Sequence, residues 1–409
     1  MPILINGILL LIFGLAAVFS VSIFESFSMT LKSANFTEPT NYYYFFQQLK
    51  SLVYVFIALF VVRKVPFKIM KTHKFATLLM ILAFALQFLV FTPLGAEFGG
   101  ARGWLNLPVI PNIQPSEFFK FAYVFYLSSW LLRKQSIIKT SQFFVNFIVT
   151  SGIFYLIFLF IPDFGTILIL GSIALIMARY AGFSLKKVLA VLGIGVGIGI
   201  FAGLSLYIIN PRFNYIKERF SYFMTLNQDE KVNQKEQVGR QNEQALWAIG
   251  GGGFWGEGYG KGLQKFGYIP EAQSDFIFAA FSEEIGFLGN CLLLFLYCRL
   301  FFYFLTHIQH IRDPQSRMIG IGIISILILQ TFINIGVNIQ ILPNTGVTLP
   351  FISAGGTSLM ISCIELLILY KILISEDARK VISKESLSSM GNEHKTSTLR
   401  KNSSQNLHF

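Results

Sequence analysis

Apolar residues run along this chain in blocks long enough to cross a bilayer, about 20 residues each. They centre near residues 15, 56, 84, 124, 152, 173, 197, 290, 329 and 363. The pattern predicts about ten helices, joined by short polar connectors. The runs near 152 and 173 are separated only by Ile161-Pro-Asp163-Phe-Gly-Thr166, where proline and glycine mark a sharp reversal. Two connectors are longer, at about 91–114 and 209–274. A loop of the second length is functional or disordered, and its aromatic and glycine content favours partial order. Residues 1–378 therefore read as one transmembrane domain that includes the 209–274 loop. The segment 379–409, rich in Ser, Lys, Thr and Asn, reads as a disordered tail.

Charge sets the expected orientation. Lys and Arg follow every even-numbered run: Arg63, Lys64, Lys68, Lys71 and Lys74 after the second, Arg133, Lys134 and Lys139 after the fourth, Arg179, Lys186 and Lys187 after the sixth. Arg312 and Arg317 follow the eighth, and Lys371, Arg379, Lys380 and Lys384 the tenth. Short basic loops stay on the cytoplasmic side, which predicts that both termini are cytoplasmic and that the two long connectors are outside. The first run lacks the basic leader of a cleaved signal.

Composition agrees with a multi-pass membrane protein: 54% hydrophobic and only 13% charged, against about 25% charged in soluble proteins. The net charge of +12 lies in the connectors, and no nucleic-acid partner follows from it. The three cysteines fall in apolar runs and form neither a disulfide framework nor a metal motif.

Chemistry concentrates at a few places. The stretch Tyr268 to Gly289 passes from a proline-punctuated polar loop into an apolar run carrying Asp275, Glu283 and Glu284. A carboxylate inside a bilayer is a functional candidate by default. Glu283 falls about 12 Å deeper than Asp275 at helical rise, and Glu284 on nearly the opposite face. In the first long connector, Arg102 precedes Gln114-Pro115-Ser-Glu117-Phe-Phe-Lys120. Pro115 suits a first helical turn. Glu117 and Lys120, three apart, can pair on one helix face; alternatively Arg102 and Lys120 hold a phosphate group, the first as a fork and the second as a point charge. Asp163 is placed to cap the next helix or to meet substrate. The long loop carries Arg212, Arg219 and Arg240, then the glycine-rich 250–260, which can shape an anion nest but lacks the Lys-Ser/Thr of a Walker loop. Asn334 and Asn338 share a helix face. Beyond them, two prolines and three glycines in 343–356 predict a broken segment, which membrane depth tolerates only when protein or a cavity surrounds it.

In order along the chain, Arg102–Trp104, Gln114-Pro-Ser-Glu117, Pro162-Asp-Phe-Gly-Thr166, Pro270-Glu-Ala-Gln-Ser-Asp275-Phe-Ile-Phe, Glu283-Glu-Ile-Gly286 and Gly346-Val-Thr-Leu-Pro-Phe-Ile-Ser353 resemble motifs of the SEDS family of bacterial envelope proteins, which includes FtsW, RodA and SpoVE. The resemblance spans roughly residues 5–378. Gln273-Ser274 stands where the family usually has His-Thr. The resemblance implies an all-α, ten-helix SEDS-type fold in the bacterial cytoplasmic membrane. It also implies a peptidoglycan glycosyltransferase that polymerises lipid II, a disaccharide-pentapeptide on undecaprenyl diphosphate, beside a class B penicillin-binding protein and other divisome or elongasome proteins. Pro-Glu-Ala leans towards the division-type members. Asp275 matches the family's aspartate, as base or as ligand of a divalent cation such as Mg2+ or Mn2+. Arg102, Lys120, Arg212, Arg219 and Arg240, with Glu117, Ser353 and Thr357, are the expected substrate contacts. No organic cofactor is implied. An elongation-type polymerase and a lipid-linked sugar flippase are the competing readings.

Overall fold

The apolar runs become helices packed side by side. A computed structural model describes residues 2–32, 38–98, 101–106, 112–161, 163–195, 197 and 237–375. The helices are α1 (Pro2–Val21), α2 (Ile23–Lys32), α3 (Tyr43–Lys64), α4 (Phe67–Met70), α5 (His73–Leu89), α6 (Pro115–Arg133), α7 (Ser141–Phe160), α8 (Phe164–Tyr180), α9 (185–195), α10 (Gln237–Gly251), α11 (Ile277–Ile308), α12 (Pro314–Asn338) and α13 (Gly356–Ser375). Six described helices are long and apolar enough to span a membrane: α1, α3, α7, α11, α12 and α13. Apolar α5 and α8 are a little shorter. The expected run near 197 starts as α9 and passes into residues outside the described set, as do the 379–409 tail and residues 209–236 of the long loop. The ten-helix expectation is met in outline.

Burial sorts the helices into centre and rim. The most apolar window of α12 is 78% buried and that of α13 67%, against 17% for α3. Helix α6 is less apolar than these but is buried nearly all round, packed on α5, α8 and α12. Lipid gives helices no hydrophobic reason to associate, so close packing must hold them. Edge-to-face rings supply part of it: Phe119 meets Phe158 at 4.9 Å and Phe84 at 5.0 Å. Close backbone approach supplies more. A Cβ at Gly14 of α1 would lie 2.2 Å from Phe351 O.

One end of the bundle is basic and structural. Lys71 pairs with Asp313 at 2.9 Å, where Asp313 caps α12. Lys371 Nζ donates to Val62 O (2.7 Å), Arg63 O (3.1 Å) and Val65 O (2.9 Å), the open carbonyls at the end of α3. The other end carries an element the helical expectation lacked. Strands β1 (Gly95–Phe98) and β2 (Ala101–Leu105) form an antiparallel hairpin with Gly95 opposite Leu105. Leu105 then bridges to Ile113, which carries the chain into Gln114 and α6.

Candidate functional site

At the hairpin end, three segments converge on residues 273–275. Asp275 lies two residues ahead of α11 and is half-buried. Its carbonyl accepts from the amides of Asn334 (2.9 Å) and Asn338 (3.0 Å), one turn apart on α12. Asn338 Oδ1 in turn accepts from Ala279 N at 3.0 Å, so one side chain holds both Asp275 and the first turn of α11. The broken segment 339–355 supplies the other wall. Ser353 Oγ donates to Ser274 O (2.7 Å), and Ala354 N to Gln273 O (2.8 Å). Gly346, at φ 70°, lies against the carboxylate: a Cβ there would sit 3.5 Å from Asp275 Oδ2. The main chain of Asp275 is thus fixed from two sides, and its carboxylate stands at the positive N-terminal end of a helix.

The first turns of α11 are braced from below. The helix breaks at Gly286 (φ 64°, ψ −168°), and the loop after α10 fills the break. Phe287 N donates to Gly253 O (2.9 Å) and Leu288 N to Phe254 O (3.2 Å), while Glu257 N and Gly258 N donate to Glu283 O (2.9 Å) and Glu284 O (3.1 Å). The fit needs glycine, because a Cβ at Gly256 (φ 82°) would lie 2.2 Å from Glu284 O. Both carboxylates hold the same loop. Glu283 accepts from Leu263 N (3.0 Å) and Gln264 N (2.9 Å). Glu284 accepts from Gly260 N (2.9 Å), from Ser20 Oγ of α1 and from Lys265 Nζ at 2.5 Å, the last pair fully buried. Within 250–260, Gly252 and Gly256 therefore serve close packing against α11.

A second polar group lies in the bundle interior. Lys120 Nζ meets Glu117 Oε1 at 2.8 Å, with both side chains buried, and Gln330 Nε2 of α12 donates to Glu117 Oε2 at 3.2 Å. Glu365 of α13 is within electrostatic reach of both and is 1% exposed, with neither oxygen hydrogen-bonded among the described residues. Polar residues thus do not keep wholly to the helix ends. Asp163 caps α8 through Thr166 N (2.9 Å) and Thr166 Oγ1 (2.7 Å). Burial pushes the Asp163 carboxyl above the usual aspartate range, and the Thr166 hydrogen bonds and the charge of Lys120 recover only part of that.

The expected substrate contacts separate. Ser353 belongs with Asp275. Thr357 ties Gln114 N (3.1 Å) and Asn112 O (3.3 Å) to the start of α13. Arg102 is exposed on the hairpin and donates to Thr92 O at 2.8 Å, sharing no partner with Lys120. Arg240 lies in the first turn of α10, and Arg212 and Arg219 fall outside the described residues. Lys265, Gln330 and Glu365 escaped the sequence reading. No three His, Cys, Asp or Glu residues among those described are placed to hold a metal by themselves.

The chain is similar to known proteins over nearly its whole described length. The family described as "Cell cycle protein", which joins FtsW, RodA and SpoVE, matches residues 3–378. Stage V sporulation protein E of Bacillus subtilis is 36% identical over 74% of this chain and 79% of its own length. The probable peptidoglycan glycosyltransferase FtsW of Coxiella burnetii is 33% identical over 85% of this chain and 90% of its own. Among solved structures, a chain from "Structural coordination of polymerization and crosslinking by a peptidoglycan synthase complex" superposes with a TM-score of 0.64 at 21% identity, covering 90% of this chain and 97% of that one. Thermus thermophilus rod shape determining protein RodA superposes at 0.56 and 22% identity, covering 90% and 96%. The matched region takes in the Asp275 clamp, the Glu117–Lys120 pair and the braced break in α11, and the chain is a multi-pass membrane protein of the FtsW/RodA/SpoVE family.

Proposed function

We propose that this chain is a peptidoglycan glycosyltransferase that polymerises lipid II at the outer face of the cytoplasmic membrane, with Asp275 at the reacting centre. The observation that carries the assignment is the clamp on Asp275. Two asparagines and the Ser353 segment fix its backbone, while its carboxylate is left half-buried at a helix start. Chain growth requires a sugar hydroxyl to attack an anomeric carbon. The new C–O bond forms as the bond to the lipid diphosphate breaks. Asp275 takes the hydroxyl proton, which is the work of a general base. The diphosphate leaves with its charge balanced by cations. Arg102 at the exposed hairpin and the arginines of the 209–274 loop supply that charge. Lys120 acts from inside the bundle, through its pair with Glu117.

A single protein carboxylate suits Mg2+ or Mn2+, which are held by one or two carboxylates together with substrate phosphates. In the alternative to the base role, Asp275 would be that ligand, and the ion would neutralise the diphosphate. The basic connectors support an orientation with both termini in the cytoplasm and with the hairpin, Asp275 and the long loop outside. Crosslinking of the product falls to a class B penicillin-binding partner, and the sequence at 270–272 favours a division role.

Purified Asp275→Asn tests the assignment. It keeps the shape and the main-chain clamp, so it should insert and fold as the parent does, yet lose lipid II polymerisation by about 10²-fold or more. Wild-type turnover by the folded variant would overturn the role of Asp275.

A further inference from the structure

The loop that fills the break in α11 belongs to the long connector expected outside the membrane. Its anchor points lie lower. Tyr259 Oη donates to Ala16 O of α1 at 2.8 Å. Ala16 is about 21 Å from the start of α1 at 1.5 Å per residue, and a bilayer core is about 30 Å thick. The loop therefore meets α1 more than a turn short of its end. On α11 it meets residues 283–288, about two to three and a half turns beyond Asp275.

The loop also turns apolar side chains outward at that level. Trp255 is 76% exposed, and Phe254, Tyr259, Leu263 and Phe266 are exposed with it. Phe254 stacks on Phe287 at 5.8 Å, and Phe287 opens an exposed apolar stripe that continues down α11. An irregular backbone survives at such depth only when its polar groups are satisfied by protein. Glu283, Glu284, Lys265 and the open carbonyls of α11 meet that condition. Glu257 and Lys261 are exposed on the same segment, and such charges favour the head-group level over the hydrocarbon centre.

We propose that residues 252–268 are a membrane-interfacial ledge whose aromatic side chains rest among the lipids of the leaflet at the hairpin end. Tryptophan and tyrosine favour that zone, where one end of the side chain is apolar and the other wet. The occupant is bilayer phospholipid, and continuity with the exposed apolar stripe of α11, a helix long and apolar enough to span a membrane, argues for it over a protein partner. The ledge then braces the helix that begins just after Asp275 directly against the membrane.

Tryptophan fluorescence decides the point, because the chain has four tryptophans. Full-length protein carrying Trp104→Phe, Trp130→Phe and Trp247→Phe leaves Trp255 as the reporter. In nanodiscs of phosphatidylcholine brominated on its acyl chains, its emission should be roughly halved relative to unbrominated lipid. Aqueous iodide should leave it nearly unchanged. If the triple variant does not fold, the difference between wild type and Trp255→Phe gives the same quantity. Quenching by iodide alone would make the loop aqueous, and quenching by neither would mean that protein covers it. Either result overturns the proposal.

Discussion

The buried pair of Lys265 and Glu284 makes a quantitative demand on stability. Lys265→Met removes an ammonium that sits 2.5 Å from Glu284 Oε1, 3.1 Å from Ser20 Oγ and 2.9 Å from Gly260 O. Both side chains of the pair are fully buried. The substitution leaves a buried carboxylate supported only by a hydroxyl and one backbone amide, and breaking such a pair costs about 3–5 kcal/mol. Lys265→Met with Glu284→Gln removes the second charge and keeps an oxygen for Gly260 N and Ser20 Oγ. The double variant should therefore be the more stable of the two, with a coupling of about 2–3 kcal/mol. Midpoints of thermal unfolding in one detergent at one scan rate give the ranking, which suits a protein whose unfolding is governed by rate. A wild-type midpoint for Lys265→Met, or a double variant weaker than the single one, would refute the reasoning that this pair anchors the loop.

Other perturbations separate chemistry from structure. Lys120→Ala leaves Glu117 and Glu365 buried without their cation, so it should lower folded yield and thermal stability together with polymerisation. Arg102→Ala, exposed and bonded to one carbonyl, should lower lipid II binding and leave the unfolding midpoint in place. Gly256→Ala must push a methyl group into Glu284 O and should cut folded yield, whereas Gly171→Ala, with open space around its Cβ, should not. The Lys71–Asp313 pair predicts a pH dependence. Partial burial raises the Asp313 carboxyl, but hydrogen bonds from Ser316 and Lys71 outweigh it and hold it below its ordinary value. A depressed folded value contributes stability that is present above the unfolded value, about 3.9, and is lost as pH falls through the folded one. Acid midpoints should show Asp313→Asn to be less stable than wild type at neutral pH, with the gap closing below about pH 4.

The features legible in the sequence are those set by local pattern. A run of 20 apolar residues has few alternatives to a spanning helix, and the predicted centres fall on α1, α3, α5, α6, α7, α8, α11, α12 and α13. Asn334 and Asn338 were readable as one helix face because a period of 3.6 puts i and i+4 together, though nothing local said that both amides would reach the carbonyl of Asp275. Pro115 and Asp163 marked helix starts through their own backbone chemistry. The hairpin at 95–105 was hidden because its strands are four and five residues long and carry no regular alternation.

Lys265 and Glu365 show what local pattern leaves out. Lys265 sits among loop residues that look solvated, and its burial follows from where the glycines let that loop dock. The docking site is a break in α11 that Gly286 opens and the loop itself closes. Neither half has a reason to exist without the other: an open break would expose unpaired backbone at membrane depth, and an undocked loop would leave Glu283 without its two donors and Glu284 with Ser20 Oγ alone of the donors named. That mutual dependence spans more than twenty residues of sequence and includes α1, so no window along the chain contains it. Glu365 is the opposite case, a plain carboxylate in an apolar run that only the approach of Glu117 and Lys120 makes chemically significant. Both residues acquire their roles through tertiary contact around α6 and α11. Helix α6 also carries Lys120, and α11 begins just after Asp275, so both residues bear on the elements that frame the candidate site.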